Sequence, residues 1–163
     1  MTIGPDDVSV PSYYSGTGHY YEYVSTGVLS ANAQAAAAAK SYAGATGYLA
    51  TILDVGENAF IKELIGSTAW IGLSDTATEN EFRWLDGPEA GQLATYTNWF
   101  GSNEPNNAGG GQDYTVMRKK DGKWDDTGAP GGSNQNGYVV EYSREATTHN
   151  NSGTINVDSG ATL

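Results

Sequence analysis

Two short segments hold most of the residues whose types could do chemistry. Segment 103–113 reads NEPNNAGGGQD, and segment 123–126 reads KWDD. Carboxylate and amide oxygens dominate both segments, and calcium in proteins takes about six to eight oxygen ligands in a flexible arrangement. The candidate calcium ligands are Glu104, Asn106, Gln112, Asp125 and Asp126.

The spacing of these residues is not that of one continuous EF-hand loop, so the chain must fold back to join the two segments. A competing interpretation is that Asn, Asp and Gly residues here only form turns. Turn formation is the better explanation for any one of them alone. The two segments together, however, supply about the number of oxygens that calcium takes.

Charge and composition limit the classes of partner. The chain has 163 residues, a net charge of −11 and no cysteine, which excludes thiolate metal sites, cysteine nucleophiles and disulfides. The excess of acidic groups disfavours nucleic acid and anionic membranes and favours a divalent cation. That the acidity serves only solubility remains an alternative. No stretch approaches the length of an apolar membrane span, so we expect no direct membrane insertion.

No catalytic interpretation fits the remaining residues. His19 lies in a Tyr-rich segment and His149 in a polar tail, with no candidate nucleophile beside either. Asp125 and Asp126 are adjacent on one segment, whereas a glycosidase needs two carboxyls at a set separation. The glycines at 109–111 lack the Lys-Ser/Thr that follows in a phosphate loop. We therefore expect a binding protein and not an enzyme.

The elements that must position these segments follow from local patterns. Strands are predicted at 19–26, 47–53, 69–73 and 137–142, with a further short strand at 154–157. An alanine-rich helix is predicted at 31–43, capped by Ser30 and ended by Gly44. Asp54 and Glu57 form a capping-box pattern that predicts a second helix at 55–65. Because 74–127 reads mostly as loops, we expect an α+β fold with its function on loops.

Both ends of the chain read as connectors. Residues 1–17 contain scattered Pro and Gly, and residues 144–163 are rich in Ser, Thr, Asn and Gly. The predicted domain therefore covers 18–143, with a linker before it and a linker or C-terminal extension after it. The first residues lack the layout of a signal peptide. We expect a module of a longer protein.

Four motifs in order resemble the C-type lectin-like domain family, over roughly 19–142. They are WIGL at 70–73, NW at 98–99, EPN at 104–106 and WDD at 124–126, where the family commonly has WND. The resemblance implies an α+β, C-type lectin-like fold. In this fold two helices flank small antiparallel sheets, and a long loop binds calcium.

The resemblance also implies functional residues. The principal calcium site is expected on Glu104, Asn106, Gln112, Asp125 and Asp126, all but the last of which also contact the sugar. A cis peptide bond before Pro105 would turn both flanking side chains toward the same ion. The family often has an auxiliary calcium site, whose positions here are Asp75, Glu79, Asn107 and Asp113.

The chain departs from the family pattern in three ways. Tyr114 and Val140 stand where family cysteines are expected. Gln112 and Asp125 replace the usual Glu and Asn, which leaves the formal site charge unchanged and swaps a hydrogen-bond donor with an acceptor. Ala108 offers no bulky contact surface, so affinity for one monosaccharide is expected near about millimolar.

The resemblance therefore implies a calcium-dependent carbohydrate-binding module for sugars of the mannose, fucose or glucose type. We expect a cell-surface glycan or free saccharide as partner, an extracellular or cell-surface location, and a monomeric module within a larger adhesin. One alternative is a protein- or peptide-binding domain of the same fold that calcium stabilises. Another is a spacer without a ligand.

Overall fold

The structure, a computed structural model, describes residues 10–128 and 134–143. Two helices are present in these residues, α1 (Ser30–Ala38) and α2 (Val55–Leu64). The strands are β1 (Ser12–Tyr14), β2 (His19–Leu29), β3 (Ser41–Tyr42), β4 (Ala45–Thr46), β5 (Tyr48–Leu49), β6 (Ala69–Ser74), β7 (Arg83–Trp84), β8 (Tyr114–Met117), β9 (Trp124–Thr127) and β10 (Gln135–Tyr142). The strand expected at 154–157 and His149 lie outside the described residues.

Eight strands form one mixed sheet in place of the several small antiparallel sheets that were expected. Its order is β1-β2-β10-β6-β8-β9, with β5 beside β10 and β7 beside β6. The β10–β6 pair is parallel, and the other pairs are antiparallel. β1 lies in the segment predicted as a linker. The α+β class is confirmed.

The prediction for the first helix was wrong at both ends. Its N-cap is Leu29, without a side-chain cap bond, and Ser30 is already helical and buried. The helix ends at Ala38, and Gly44 lies in the turn of the short β3–β4 hairpin, where Ala43 and Gly44 have φ of 50° and 83°. Tyr42 of this hairpin packs against Tyr20 and Tyr142. Tertiary packing thus overrides the helix propensity of the alanines.

The second helix follows its sequence pattern. Asp54 is its N-cap and accepts a hydrogen bond from the Glu57 N–H at 2.9 Å, as the capping pattern predicts. The Glu57 side chain in turn accepts from the Leu53 N–H at 2.8 Å. The helix ends at Leu64, one residue before the predicted end, with Ile65 as its C-cap. Ile61 and Ile65 are buried and Phe60 and Leu64 pack against the core, so α2 presents an apolar stripe to it.

A tryptophan is central to each of the two hydrophobic clusters. Trp70 packs with α1 and Val140 in one cluster, and its indole N–H donates to the Val28 carbonyl at 2.9 Å. Trp124 packs with α2 and β7 in the other. Val140 is fully buried and Tyr114 packs against the same cluster, so apolar contacts occupy the positions where cysteines were expected. Among the described residues, neither helix is long and apolar enough to cross a membrane.

Candidate functional site

The buried Trp124 fixes the strand that carries two of the predicted ligands. Its indole N–H donates to Asn58 Oδ1 at 2.8 Å, and its backbone bonds to Asn98 and Phe100 at 2.8 Å each. β9 begins at this residue, so Asp125 and Asp126 follow it directly on the same strand. The α2 helix, the NW segment and β9 are thereby held together at one point.

Asp126 shapes the long loop from inside the protein. Its carboxylate is fully buried and accepts hydrogen bonds from the backbone N–H groups of Asn106, at 2.9 Å, and Asn107, at 2.7 Å. A buried carboxylate that accepts two backbone donors is a strong anchor. The loop therefore returns to β9, as the fold-back prediction requires.

Three carboxylates converge at this anchor. One oxygen each from Glu104, Asp125 and Asp126 lies within 4.8 Å of the others. The Glu104–Pro105 peptide bond is cis, as the resemblance implied. Glu104 Oε2 is buried, and no described residue donates a hydrogen bond to it.

Electrostatics at this cluster favour a bound cation. Desolvation and the neighbouring Asp126 and Asp125 raise the pKa of Glu104 to about 7. Burial and Asp126 also raise the pKa of Asp125, while Arg118 lowers it. No Lys or Arg of the described residues forms an ion pair with any of the three carboxylates. Crowded anions with an unpartnered buried oxygen fit a divalent metal.

Asn106 and Gln112 share one backbone donor in the long loop. Asn106 Oδ1 and Gln112 Oε1 both accept from the Ala108 N–H, at 2.8 Å and 2.5 Å. The Asn106 amide also donates to Glu104 Oε1 at 2.6 Å. All five residues predicted for the principal site are therefore linked through contacts at one end of the loop.

The four residues predicted for an auxiliary site form two contacting pairs. Asn107 Nδ2 donates to Glu79 Oε1 at 2.7 Å, and the Asp75 N–H donates to the Asp113 carbonyl at 3.2 Å. Asp75 Oδ1 is buried, and no described residue donates to it. Burial, Asp113 and Asp126 raise the pKa of the Asp75 carboxyl. Because the Asn107 backbone contacts Asp126, this group and the principal cluster share one loop residue.

Two residues beside the carboxylates were not predicted. The Arg118 guanidinium lies 3.6 Å above the ring of Phe100, which is 45% exposed. Arg118 begins the stretch RKKDGK at 118–123. This cluster of basic residues in an acidic chain is the feature of the sequence from which Arg118 could have been singled out.

Two relatives match parts of the chain. Halomucin of Haloquadratum walsbyi is 36% identical over 135 residues, which cover 77% of this chain and 1% of halomucin. The low affinity immunoglobulin epsilon Fc receptor of Mus musculus is 41% identical over 81 residues, which cover 49% of this chain and 23% of the receptor. The chain thus spans only a small fraction of the length of either relative.

Solved structures share the fold across most of the chain. The C-type lectin CEL-I from Cucumaria echinata is 26% identical with a TM-score of 0.67, and the match covers 83% of this chain and 99% of CEL-I. The cow C-type carbohydrate-recognition domain of CD23, solved in the presence of a GlcNAc2Man3 oligosaccharide, is 25% identical with a TM-score of 0.64, over 83% and 99%. A calcium-independent type II antifreeze protein shares the fold at 20% identity and a TM-score of 0.65, over 86% and 95%.

The family model of the lectin C-type domain matches residues 31–153. This match includes both helices, the long loop and the strand that carries Asp125 and Asp126. The chain belongs to the C-type lectin domain family.

Proposed function

We propose that this chain is a calcium-dependent carbohydrate-recognition domain whose sugar site is centred on Glu104, Asp125 and Asp126. The observation that carries the proposal is the convergence of these three carboxylates within 4.8 Å, with Glu104 Oε2 buried and without a donor among the described residues. Family members of this kind are carbohydrate-recognition domains and not enzymes, and some neighbours, including CEL-I, are named as lectins. The carboxylates would hold calcium, with Asn106 and Gln112 completing the ligand set.

Calcium, when bound, supplies a Lewis-acid centre to which two sugar hydroxyls can coordinate. The protein's own residues orient those hydroxyls. The Glu104 carboxylate can accept a hydrogen bond from a sugar hydroxyl, while the Asn106 amide nitrogen, 2.6 Å from Glu104 Oε1, can donate to the same hydroxyl oxygen. Asp125 and Gln112 offer a second acceptor and donor for the adjacent hydroxyl. Each hydroxyl would thereby form hydrogen bonds with one carboxylate and one amide.

The preferred sugars are those of the mannose, fucose and glucose type. The EPN order of Glu104 and Asn106 supports this class, and the cow CD23 domain was solved with a mannose-containing oligosaccharide present. The exchange at Gln112 and Asp125 reverses the donor and acceptor for only one hydroxyl. Mannose therefore serves as the reference ligand and galactose as the comparison.

The same domain in a larger protein would act as an adhesion module outside the cell. The 1% coverage of halomucin and the 23% coverage of the Fc receptor support a module within a longer chain. Auxiliary calcium at Asp75, Glu79, Asn107 and Asp113 would order the loop that carries the sugar ligands. The domain itself would be monomeric, with several copies supplying avidity.

A protein ligand is the second candidate function. It is favoured by the mouse relative, whose name describes an immunoglobulin Fc receptor. In that case calcium would order the loop, and a free monosaccharide would not compete with the ligand.

A glycan array with the domain in calcium and in EDTA distinguishes these functions. We expect calcium-dependent binding that free mannose inhibits and that Glu104→Gln abolishes. Glu63→Gln is a matched control because Glu63 is exposed on α2 and, within residues 10–128 and 134–143, pairs with Lys62 alone. Calcium binding without any calcium-dependent glycan signal would favour the protein-binding candidate.

A further inference from the structure

The turn between β8 and β9 concentrates positive charge in an otherwise acidic protein. Residues 118–123, RKKDGK, contain four of the eight basic residues and one of the nineteen acidic residues of the chain. We call this segment the basic turn. Its Arg118 N–H donates to the Lys123 carbonyl at 2.9 Å, which closes the hairpin. A net charge of +3 in six residues is opposite in sign to the −11 of the whole chain.

Most of this charge is not neutralised locally. Arg118 pairs with Asp121 at 3.2 Å. No carboxylate of the described residues lies within 4.0 Å of the ammonium groups of Lys119, Lys120 or Lys123. Lys119 and Lys123 donate to neutral oxygens, and Lys120 is exposed. The surface therefore retains capacity to bind an anion.

The basic turn adjoins the proposed sugar site through strand register. Asp125 pairs with Val116 on the neighbouring strand. Arg118 is the first residue after β8, and its N–H bond to the Lys123 carbonyl continues the β8–β9 pairing by one residue. Residues two apart in such a pairing point to the same face and lie about 7 Å apart, so Arg118 is placed on the face of Val116 and Asp125. The guanidinium acts on the Asp125 carboxyl. An anion at Arg118 would thus lie within about one monosaccharide of a sugar held at Asp125.

Two contacts fix Arg118 in this position. Its guanidinium stacks on the Phe100 ring at 3.6 Å and pairs with Asp121. The Phe100 N–H in turn donates to the Trp124 carbonyl at 2.8 Å. Trp124, the first residue of β9, therefore helps to position both the Phe100 ring and Asp125. A planar guanidinium held in this way loses little further freedom when it binds a sulfate or a carboxylate.

We propose that Arg118 and the lysines of the basic turn form an anion-binding subsite beside the proposed sugar site. This subsite would select sugars that carry a sulfate or a carboxylate. This inference rests on the proposed function, because the calcium site would hold the sugar ring while the basic turn contacts its charged substituent. The sulfated and carboxylated sugars of this class share an anionic group on a pyranose ring. Since the basic turn is exposed, binding should weaken as salt rises.

The test compares matched neutral and anionic sugars by surface plasmon resonance. The probes are polymer-linked mannose, mannose 6-sulfate, glucose and glucuronate, each measured in calcium and in EDTA at low and high salt. We expect the anionic member of each pair to bind about 3- to 10-fold more tightly in calcium at low salt. Arg118→Gln and Lys120→Glu should bring that ratio close to one. Asp121→Asn, which keeps an acceptor for the Lys123 N–H, should increase it.

Arg83→Gln removes the same charge from β7 and should leave the preference for anionic sugars intact. Equal calcium-dependent binding of neutral and anionic sugars would overturn the subsite and leave the proposed function standing. Anionic probes that bind equally well in EDTA would also overturn it, because the basic turn would then act apart from the sugar site. If no probe binds in a calcium-dependent way, the proposed function fails as well.

Discussion

At the scale of single residues, the central feature is that three carboxylates share a small volume. Burial and the neighbouring Asp126 raise the pKa of both Glu104 and Asp125, and Asp125 also raises the pKa of Glu104. Such repulsion destabilises the calcium-free protein and is relieved when a cation binds. The effect of a substitution at this cluster should therefore depend on whether calcium is present.

The first prediction concerns Glu104→Gln. Removing one of the crowded charges should leave thermal stability in EDTA unchanged or higher, while weakening calcium binding at least about 10-fold. Isothermal titration with calcium and thermal unfolding in calcium and in EDTA measure both effects. Glu63→Gln serves as the control. A variant that lost stability equally with and without calcium would show that Glu104 is only structural.

The second prediction concerns the buried Glu57, remote from the sugar site in sequence. Burial is the main cause that raises the pKa of Glu57 to about 7, although hydrogen bonds from Tyr21 and Leu53 oppose it. The folded state therefore binds this proton more tightly than the unfolded state. The contribution of Glu57 to stability should therefore be fully present below the ordinary Glu pKa and should be lost as pH rises through about 7.

Glu57→Gln should flatten this pH dependence and raise stability near neutral pH by on the order of 2 kcal/mol. Urea unfolding across mildly acidic to neutral pH in EDTA measures the change. Some slope should persist in the variant, because the pKa of Glu104 is also raised to about 7 and Glu141 raises the pKa of His19, both with the same sign. A slope identical to that of the parent protein would contradict the assignment to Glu57.

At the scale of elements, β9 connects the core to the site. Trp124 lies at the start of this strand and bonds to Asn58 of α2, so the position of Asp125 and Asp126 depends on a buried contact. Trp70 makes an equivalent indole bond, to Val28, in the other cluster and on another strand. The two tryptophans provide a matched pair for testing this connection.

The third prediction is that Trp124→Phe and Trp70→Phe each cost about 1–3 kcal/mol of stability, because each leaves a buried oxygen without its donor. Only Trp124→Phe should also weaken calcium binding. Urea unfolding and calcium titration of both variants test this expectation. Equal calcium affinity in the two variants would indicate that β9 does not position the ligands.

The elements also show what the sequence could and could not predict. The second helix was predictable because Asp54, Glu57 and the apolar stripe agree with its final packing. The end of α1 was not, because Tyr42 contacts aromatic residues distant in sequence. Likewise β8 was hidden among polar loops, since its pairing with β6 and β9 depends on tertiary register. The five candidate ligands of the proposed calcium site could be named from motifs. The proposed role of Arg118 depends on its position beside Asp125, which no motif indicates.

At the scale of the whole molecule, the proposed site on one small domain should bind a monosaccharide weakly. Ala108 and Asn106 are both exposed, so a sugar at this site would depend on calcium and polar contacts. The relatives match this chain over a small part of their lengths, which supports use as one module among others. Linked copies would then raise the effective affinity without any new contact.

The fourth prediction is that a streptavidin-linked tetramer of the domain binds a mannose-coated surface at least about 100-fold more tightly than the monomer. Both forms should lose binding in EDTA. Surface plasmon resonance at matched domain concentration measures the ratio. Equal monomer and tetramer affinity on a dense surface would contradict a weak, single-sugar site.

The most direct test of the central claim is a titration that observes the side-chain amides of Asn106 and Gln112 in proton–nitrogen correlation spectra. Both amide signals should shift when calcium is added and shift again when methyl mannoside follows, and neither sugar shift should occur in EDTA. Calcium-induced shifts of these two amides, followed by a sugar-induced shift, would place both ligands at the predicted residues. Amide signals that do not shift when calcium is added would contradict a calcium-centred sugar site. Signals that shift as much with mannoside in EDTA as in calcium would contradict it too.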